Sequence, residues 1–153
     1  MGGVRDNYVY VIPTEPQWRP TSIQHAAALA ALGAMTPRAR QISAATTETP
    51  TFFDAGANTE RVTCPACGTE LDWKWFGDRM NAAYAIGFSD LRIVTPCCAT
   101  ATTLNDLIYE WPMGFACWAA EVWGPNRFEF DATEIEALSK ALGHGIRVVY
   151  THR

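Results

Sequence analysis

The pattern that most restricts the fold is an order of strand, helix, strand that occurs twice, once towards each end of the chain. In the first half, Tyr8–Ile12 is β-branched and aromatic and closes on Pro13, which reads as a strand. Thr21 with Gln24 three residues later forms a capping-box signature. The stripe Ile23, Ala26, Ala27, Ala30 then runs to Gly33, predicting a helix over Thr21–Leu32. Arg40–Glu48 alternates, with Ile42, Ala44 and Thr46 on one face, and predicts a second strand. In the second half, Phe115–Trp123 carries no Pro or Gly and has the composition of a strand buried on both faces, stopped by Gly124 and Pro125. Asp131 and Glu134 make another capping box. Ile135, Leu138 and Leu142 share a helical face ahead of Gly143, and Ile146–Thr151 alternates as a last strand.

Two such units predict an α/β (α+β) protein with a ferredoxin-like βαββαβ sheet. At 153 residues and 16.9 kDa the chain has the length of one domain, spanning 1–153, and can bury roughly two-thirds of its unfolded surface without disulfides. A hydrophobic share of 48% and a charged share of 18% exclude disordered, collagen-like and coiled-coil architectures. Residues 49–112, Thr49 to Pro112, are too many for a connection between strands two and three, so they are expected to form an insertion with its own organising centre. Within it Phe52–Asp54 and Leu91–Val94 resemble short strands, and Asp78–Ile86, stopped by Gly87, a short helix. No internal repeat stands out. A unit this small has little core, a situation in which chains recruit metal.

No apolar run approaches the roughly 18 residues a membrane helix needs, so no membrane role is expected. Met1–Tyr10 is charged at Arg5 and Asp6 and lacks the apolar centre of a secretory signal, which predicts a cytoplasmic protein. The net charge of −4, with Lys74 and Lys140 as the only lysines, argues against nucleic acid as a partner.

The most specific local pattern is Cys64-Pro65-Ala66-Cys67-Gly68. Two thiolates two residues apart can hold one Zn²⁺ from a tight turn, and a following glycine supplies the positive φ such turns need. It resembles the zinc-knuckle half of zinc-ribbon and rubredoxin-type sites over Val62–Thr100, a resemblance that implies a structural zinc rather than an activity. The second half departs from that pattern. In Thr95-Pro96-Cys97-Cys98-Ala99, Thr95 stands where the first cysteine belongs, Cys98 matches the second, and Cys97 lies between. Neighbouring cysteines can both reach one ion if the backbone turns sharply, and Pro96 favours a turn. The expected ligands are Cys64, Cys67, Cys97 and Cys98, with a three-cysteine site completed by another group as the alternative. Cys-Pro-x-Cys also resembles the redox turn of glutaredoxin-like proteins, which would use Cys64 and Cys67, although Gly68-Thr69 is poor helix sequence. A structural disulfide does not suit a cytoplasmic chain, and Cys117 reads as a small buried hydrophobe.

Leu104–Phe115 holds the densest mixture of polar and aromatic residues. Asp106 and Glu110 form a candidate carboxylate pair beside Tyr109, set against the simpler reading of a turn with aromatics packed under it. Asp72-Trp73-Lys74-Trp75-Phe76 likewise reads as a helix start whose aromatics cover the metal site. His25, His144 and His152 are far apart in sequence, and no nucleophile elbow, zincin motif or phosphate loop occurs. Together, Cys-Pro-Ala-Cys, Pro-Cys-Cys and the stretch from Leu104 to Ala116 are similar to a group of uncharacterised small bacterial proteins, over most of the chain. Some of those carry the label of a sugar-transporter ATPase, which the missing phosphate loop contradicts. The expectation is a noncatalytic, zinc-stabilised protein that binds a macromolecular partner, a protein above all, as an immunity, adaptor or regulatory module. The alternatives are a small enzyme built around Asp106–Glu110 and a thiol redox protein.

Overall fold

A computed structural model describes residues 7–153; Arg5 and Asp6 lie outside them. In chain order the elements are β1 (Asn7–Pro13), α1 (Ser22–Met35), β2 (Gln41–Phe53), β3 (Arg61–Thr63), α2 (Trp73–Tyr84), β4 (Arg92–Val94), β5 (Ala101–Thr103), a single 3-10 turn (Leu104–Asp106), β6 (Ile108–Glu110), β7 (Gly114–Trp123), α3 (Ala132–Leu142) and β8 (Ile146–His152). The fold is mixed α/β around a four-stranded sheet of order β2-β7-β1-β8, antiparallel throughout.

Both capping boxes form. Thr21 and Gln24 bond reciprocally at the start of α1, as do Asp131 and Glu134 at the start of α3. Gly143 ends α3 in the left-handed region, at φ 76°. Helix α1, by contrast, runs past Gly33 to Met35. Its end is set instead by Thr36, whose backbone N–H and hydroxyl both donate to the Leu32 carbonyl.

Strand β2 is longer than its alternation indicates. The register against β7 shifts between Thr46 and Thr51, and the strand resumes, so Phe52 and Phe53 are the far end of β2 and not a separate strand. A bulge of this kind resets the alternation, which hides the continuity from a sequence reading. Arg19 covers the irregular edge by donating to the Thr47 and Glu48 carbonyls at 2.8 and 2.9 Å. Helix α2 begins at Trp73, where Asp72–Phe76 reads as a helix start, and runs to Tyr84, so the stretch expected from Asp78 to Ile86 belongs to a helix that starts earlier. Asp72 caps it by position, with no side-chain hydrogen bond.

Helices α1 and α3 cover one face of the sheet, burying Val9, Val11, Trp118, Val122 and Val148 against Leu32 and Leu138. Alternate residues point the other way, where Tyr10, Ile12, Ala119 and Val149 form a second cluster. The segment between β2 and β7 has a third, in which Val62, Phe76, Ile93 and Tyr109 gather around Phe115 of β7. Polar contacts fix this segment to the sheet. Asn105 is buried, donates to the Thr14 carbonyl at 2.9 Å and accepts the Phe115 N–H at 2.9 Å. Arg147 of β8 donates to the Asn105 and Met113 carbonyls. Along the edge of β8, the Ala57 N–H bonds the His152 carbonyl and Asn58 the Tyr150 carbonyl. No helix among the described residues is long and apolar enough to cross a membrane.

Candidate metal centre

Two turns of the same construction face each other. In the first, the Gly68 N–H bonds the Cys64 carbonyl and the Cys64 N–H bonds the Thr69 carbonyl, with Gly68 at φ 74°. In the second, the Ala99 N–H bonds the Thr95 carbonyl and the Thr95 N–H bonds the Thr100 carbonyl, with Ala99 at φ 56°. The turn needs a left-handed residue just after its last cysteine, and the second copy accepts a non-glycine residue there. The match extends outward. Arg61-Val62-Thr63-Cys64-Pro65-Ala66-Cys67-Gly68-Thr69 corresponds position by position to Arg92-Ile93-Val94-Thr95-Pro96-Cys97-Cys98-Ala99-Thr100. A short repeat is therefore present where the sequence reading found none, because only the arginine, one proline, one cysteine and one threonine coincide.

The turns bring Cys64, Cys67, Cys97 and Cys98 together, their sulfurs all within 4.8 Å of one another. Cys64 Sγ lies 3.7 Å from Cys98 Sγ, Cys67 Sγ 3.3 Å from Cys97 Sγ, and the adjacent pair Cys97 and Cys98 3.9 Å apart. Four sulfurs at about 2.3 Å from a tetrahedral ion stand about 3.8 Å apart. The donor set and its spacing thus fit one metal ion, and all four cysteines are free thiols with no disulfide among them. Cys64 is buried and the other three reach the surface.

The thiols are not electrostatically equal. Hydrogen bonding from the Cys67 backbone, helped by that of Ala66, draws Cys64 down to about 6, while burial opposes it. Cys97 is pushed up to about 12 by burial and by the neighbouring Cys67 and Cys64 sulfurs. Cys98 is lowered by the Thr100 hydroxyl, which sits 3.0 Å from its sulfur. Close packing of four sulfurs opposes their joint ionisation, and a bound cation reverses that opposition. Thr69 Oγ1, 3.1 Å from Cys67 Sγ, matches Thr100 in the first turn. These two threonines, with Thr95, are site residues that a search for cysteines alone passes over. Their signal is the threonine two positions after Cys67 and again after Cys98.

Cys117 is buried away from the cluster, its thiol raised by burial and set 3.8 Å from Gln17 Oε1. Each histidine is engaged elsewhere: His25 Nδ1 accepts the Trp118 Nε1–H at 3.0 Å, His144 meets Glu15 at 3.0 Å, and His152 meets Asn7 at 2.7 Å. Asp106 accepts the Thr103 hydroxyl and Glu110 pairs with Arg61 at 3.2 Å. The Tyr109 hydroxyl donates to the Leu104 carbonyl, and burial raises its pKa. Each thus has a partner within the fold, Tyr109 buried and Asp106 and Glu110 at the surface. No helix follows Cys67 directly, since the chain enters a hairpin at Thr69 and α2 starts only at Trp73.

No family model, curated protein or solved structure matches this chain.

Proposed function

We propose that Cys64, Cys67, Cys97 and Cys98 bind one Zn²⁺ in a structural site, and that the chain is a noncatalytic cytoplasmic protein that binds a protein partner. The observation that carries the metal reading is the convergence of four sulfurs from two matching turns. Sulfur-only tetrahedral sets suit zinc or iron. Four protein ligands close a zinc shell and leave no position for a reacting water. A noncatalytic role is supported by the engagement of Asp106, Tyr109 and Glu110 in internal hydrogen bonds and an ion pair. In this reading the sheet is of the ferredoxin-like type, supported by the order β8-β1-β7-β2 with helices α1 and α3 on one face. The segment between β2 and β7 is then a zinc-ribbon-type insertion, a reading supported by the two matching cysteine turns.

Native mass spectrometry of freshly purified protein tests the reading. One zinc per chain is expected, removed by a chelator or by Cys64→Ser. Chain free of metal with its thiols reduced would overturn it.

A further inference from the structure

The two copies of the repeat differ in how their first strands are flanked. In the first copy, β3 is flanked on both sides: Thr69–Leu71 returns along its inner edge, and β6 covers its outer edge with Arg61 opposite Glu110, Val62 opposite Tyr109 and Thr63 opposite Ile108. In the second copy, β4 is paired with β5 alone. The bonds from the Thr95 N–H to the Thr100 carbonyl and from the Leu104 N–H to the Leu91 carbonyl turn residues 91, 93 and 95 towards β5. Arg92 and Val94 therefore face outward. Asp90 accepts the Arg92 N–H at 3.1 Å, which leaves the Val94 N–H, the Val94 carbonyl and the Arg92 carbonyl as the open groups of the edge.

A groove of about 810 Å³ lies beside this hairpin, walled by Ile93, Val94 and Thr102 on one side and by Trp75, Arg79 and Ile86 of the α2 region on the other. Ile86 is 54% exposed and Val94 59%, so both walls of the groove present apolar side chains to solvent. Helix α2 sits between the two copies. Towards the first it packs Phe76 edge-on to Tyr109 of β6, at 5.9 Å between ring centres. Towards the second it presents the open groove. Arg92 is held by Asp90, whereas Arg79 makes no ion pair or hydrogen bond within the described residues.

We infer that the outer edge of β4 is a docking site for an extended peptide segment of a partner protein, which adds antiparallel to β4 as β6 adds to β3. The segment carries an aromatic residue opposite Ile93, filling the groove against α2, and an acidic neighbour drawn by Arg79 and Arg92. Backbone bonds to an exposed strand edge supply the attachment, and the groove supplies the choice of sequence. This rests on the reading of the chain as a partner-binding protein, and it adds the surface and the chemistry of what binds.

The test uses zinc-loaded full-length protein and a fluorescein-labelled synthetic peptide copying Leu107–Pro112, whose Ile-Tyr-Glu order matches the required register. Binding is followed by anisotropy, together with selection from a phage-displayed library of random nine-residue peptides. Saturable binding is expected. It should weaken by about tenfold or more in Val94→Pro, which removes an outward N–H, and in Ile86→Glu, which charges the groove wall. Both positions are exposed and lie off the bonds that hold the hairpin, and retention of one zinc per chain reports an intact fold. No binding by the peptide and no library clones sensitive to these variants, in protein that holds its zinc, would overturn the inference and leave the metal reading standing. Self-association abolished by Val94→Pro would also overturn it, by giving the edge to a second copy of the chain.

Discussion

Replacing Asn105 with alanine tests whether the cysteine-bearing segment is held to the sheet as described. The Asn105 carboxamide is buried and serves the Phe115 N–H, the Thr14 carbonyl and Arg147 Nη1. Arg147 keeps its bonds to the Asn105 and Met113 carbonyls, and Thr14 is exposed, so its carbonyl can turn to water. The Phe115 N–H cannot, because it lies at the start of a buried central strand. Leaving one buried donor unpaired costs about 1–3 kcal/mol. For a chain of this length each kcal/mol corresponds to about 2–4 °C of Tm, so a fall of about 4–8 °C is expected at the middle of the range. The assay is urea unfolding of the zinc-loaded protein, read by tryptophan fluorescence, with the midpoint lowered and the slope unchanged. A loss below about 0.5 kcal/mol would refute the reasoning, since it is smaller than any buried unpaired donor should cost.

Thr95 Oγ1 lies 3.5 Å from Cys98 Sγ, in the place that Cys64 holds in the other turn. Cys97→Ala should therefore weaken zinc by more than about 100-fold, beyond what losing an outer hydrogen bond does, and Thr95→Cys added to it should restore most of the affinity in a competitive chelator titration. Chelation of the wild-type protein should abolish hydrogen-exchange protection in residues 61–71 and 92–103 while β1 and β8 stay protected, as mass spectrometry of peptic fragments would register. Glu134 is held down to about 2 from an ordinary 4.5, chiefly by hydrogen bonds from Arg127 and then by the Asp131 backbone N–H. Its contribution is present above pH 4.5 and is lost as the pH falls towards 2. Glu134→Gln should thus be less stable than wild type at pH 7, with the gap closing through that window in paired thermal melts.

The elements legible in the sequence are those with local chemistry to announce them. Capping boxes at Thr21 and Asp131 and the glycine at 143 fix helix ends within one or two residues, because these signals act over a single turn. Gly33 misleads. A glycine inside a helix costs less than the capping bonds of Thr36 return, so the helix continues through it. Strand β2 shows the limit of alternation as a guide, since the shift between Thr46 and Thr51 breaks the period that reveals strands. Strands β3, β5 and β6 have three residues each, too few to show a period, and they depend on pairing with other segments; β4, equally short, is legible within Leu91–Val94. The cysteines were legible as a set. Thr95 was legible as well, in the place of a second knuckle's first cysteine; what the sequence concealed were the contacts of Thr69, Thr95 and Thr100 with the sulfurs, which exist only once the two turns close.

The central claim is that the four cysteines hold one zinc ion through sulfur alone. X-ray absorption at the zinc edge of the purified full-length protein measures this directly. The account predicts one zinc per chain with a single shell of four sulfurs at about 2.3 Å. A shell containing nitrogen or oxygen ligands, or zinc well below one equivalent in protein whose thiols are reduced, would contradict it.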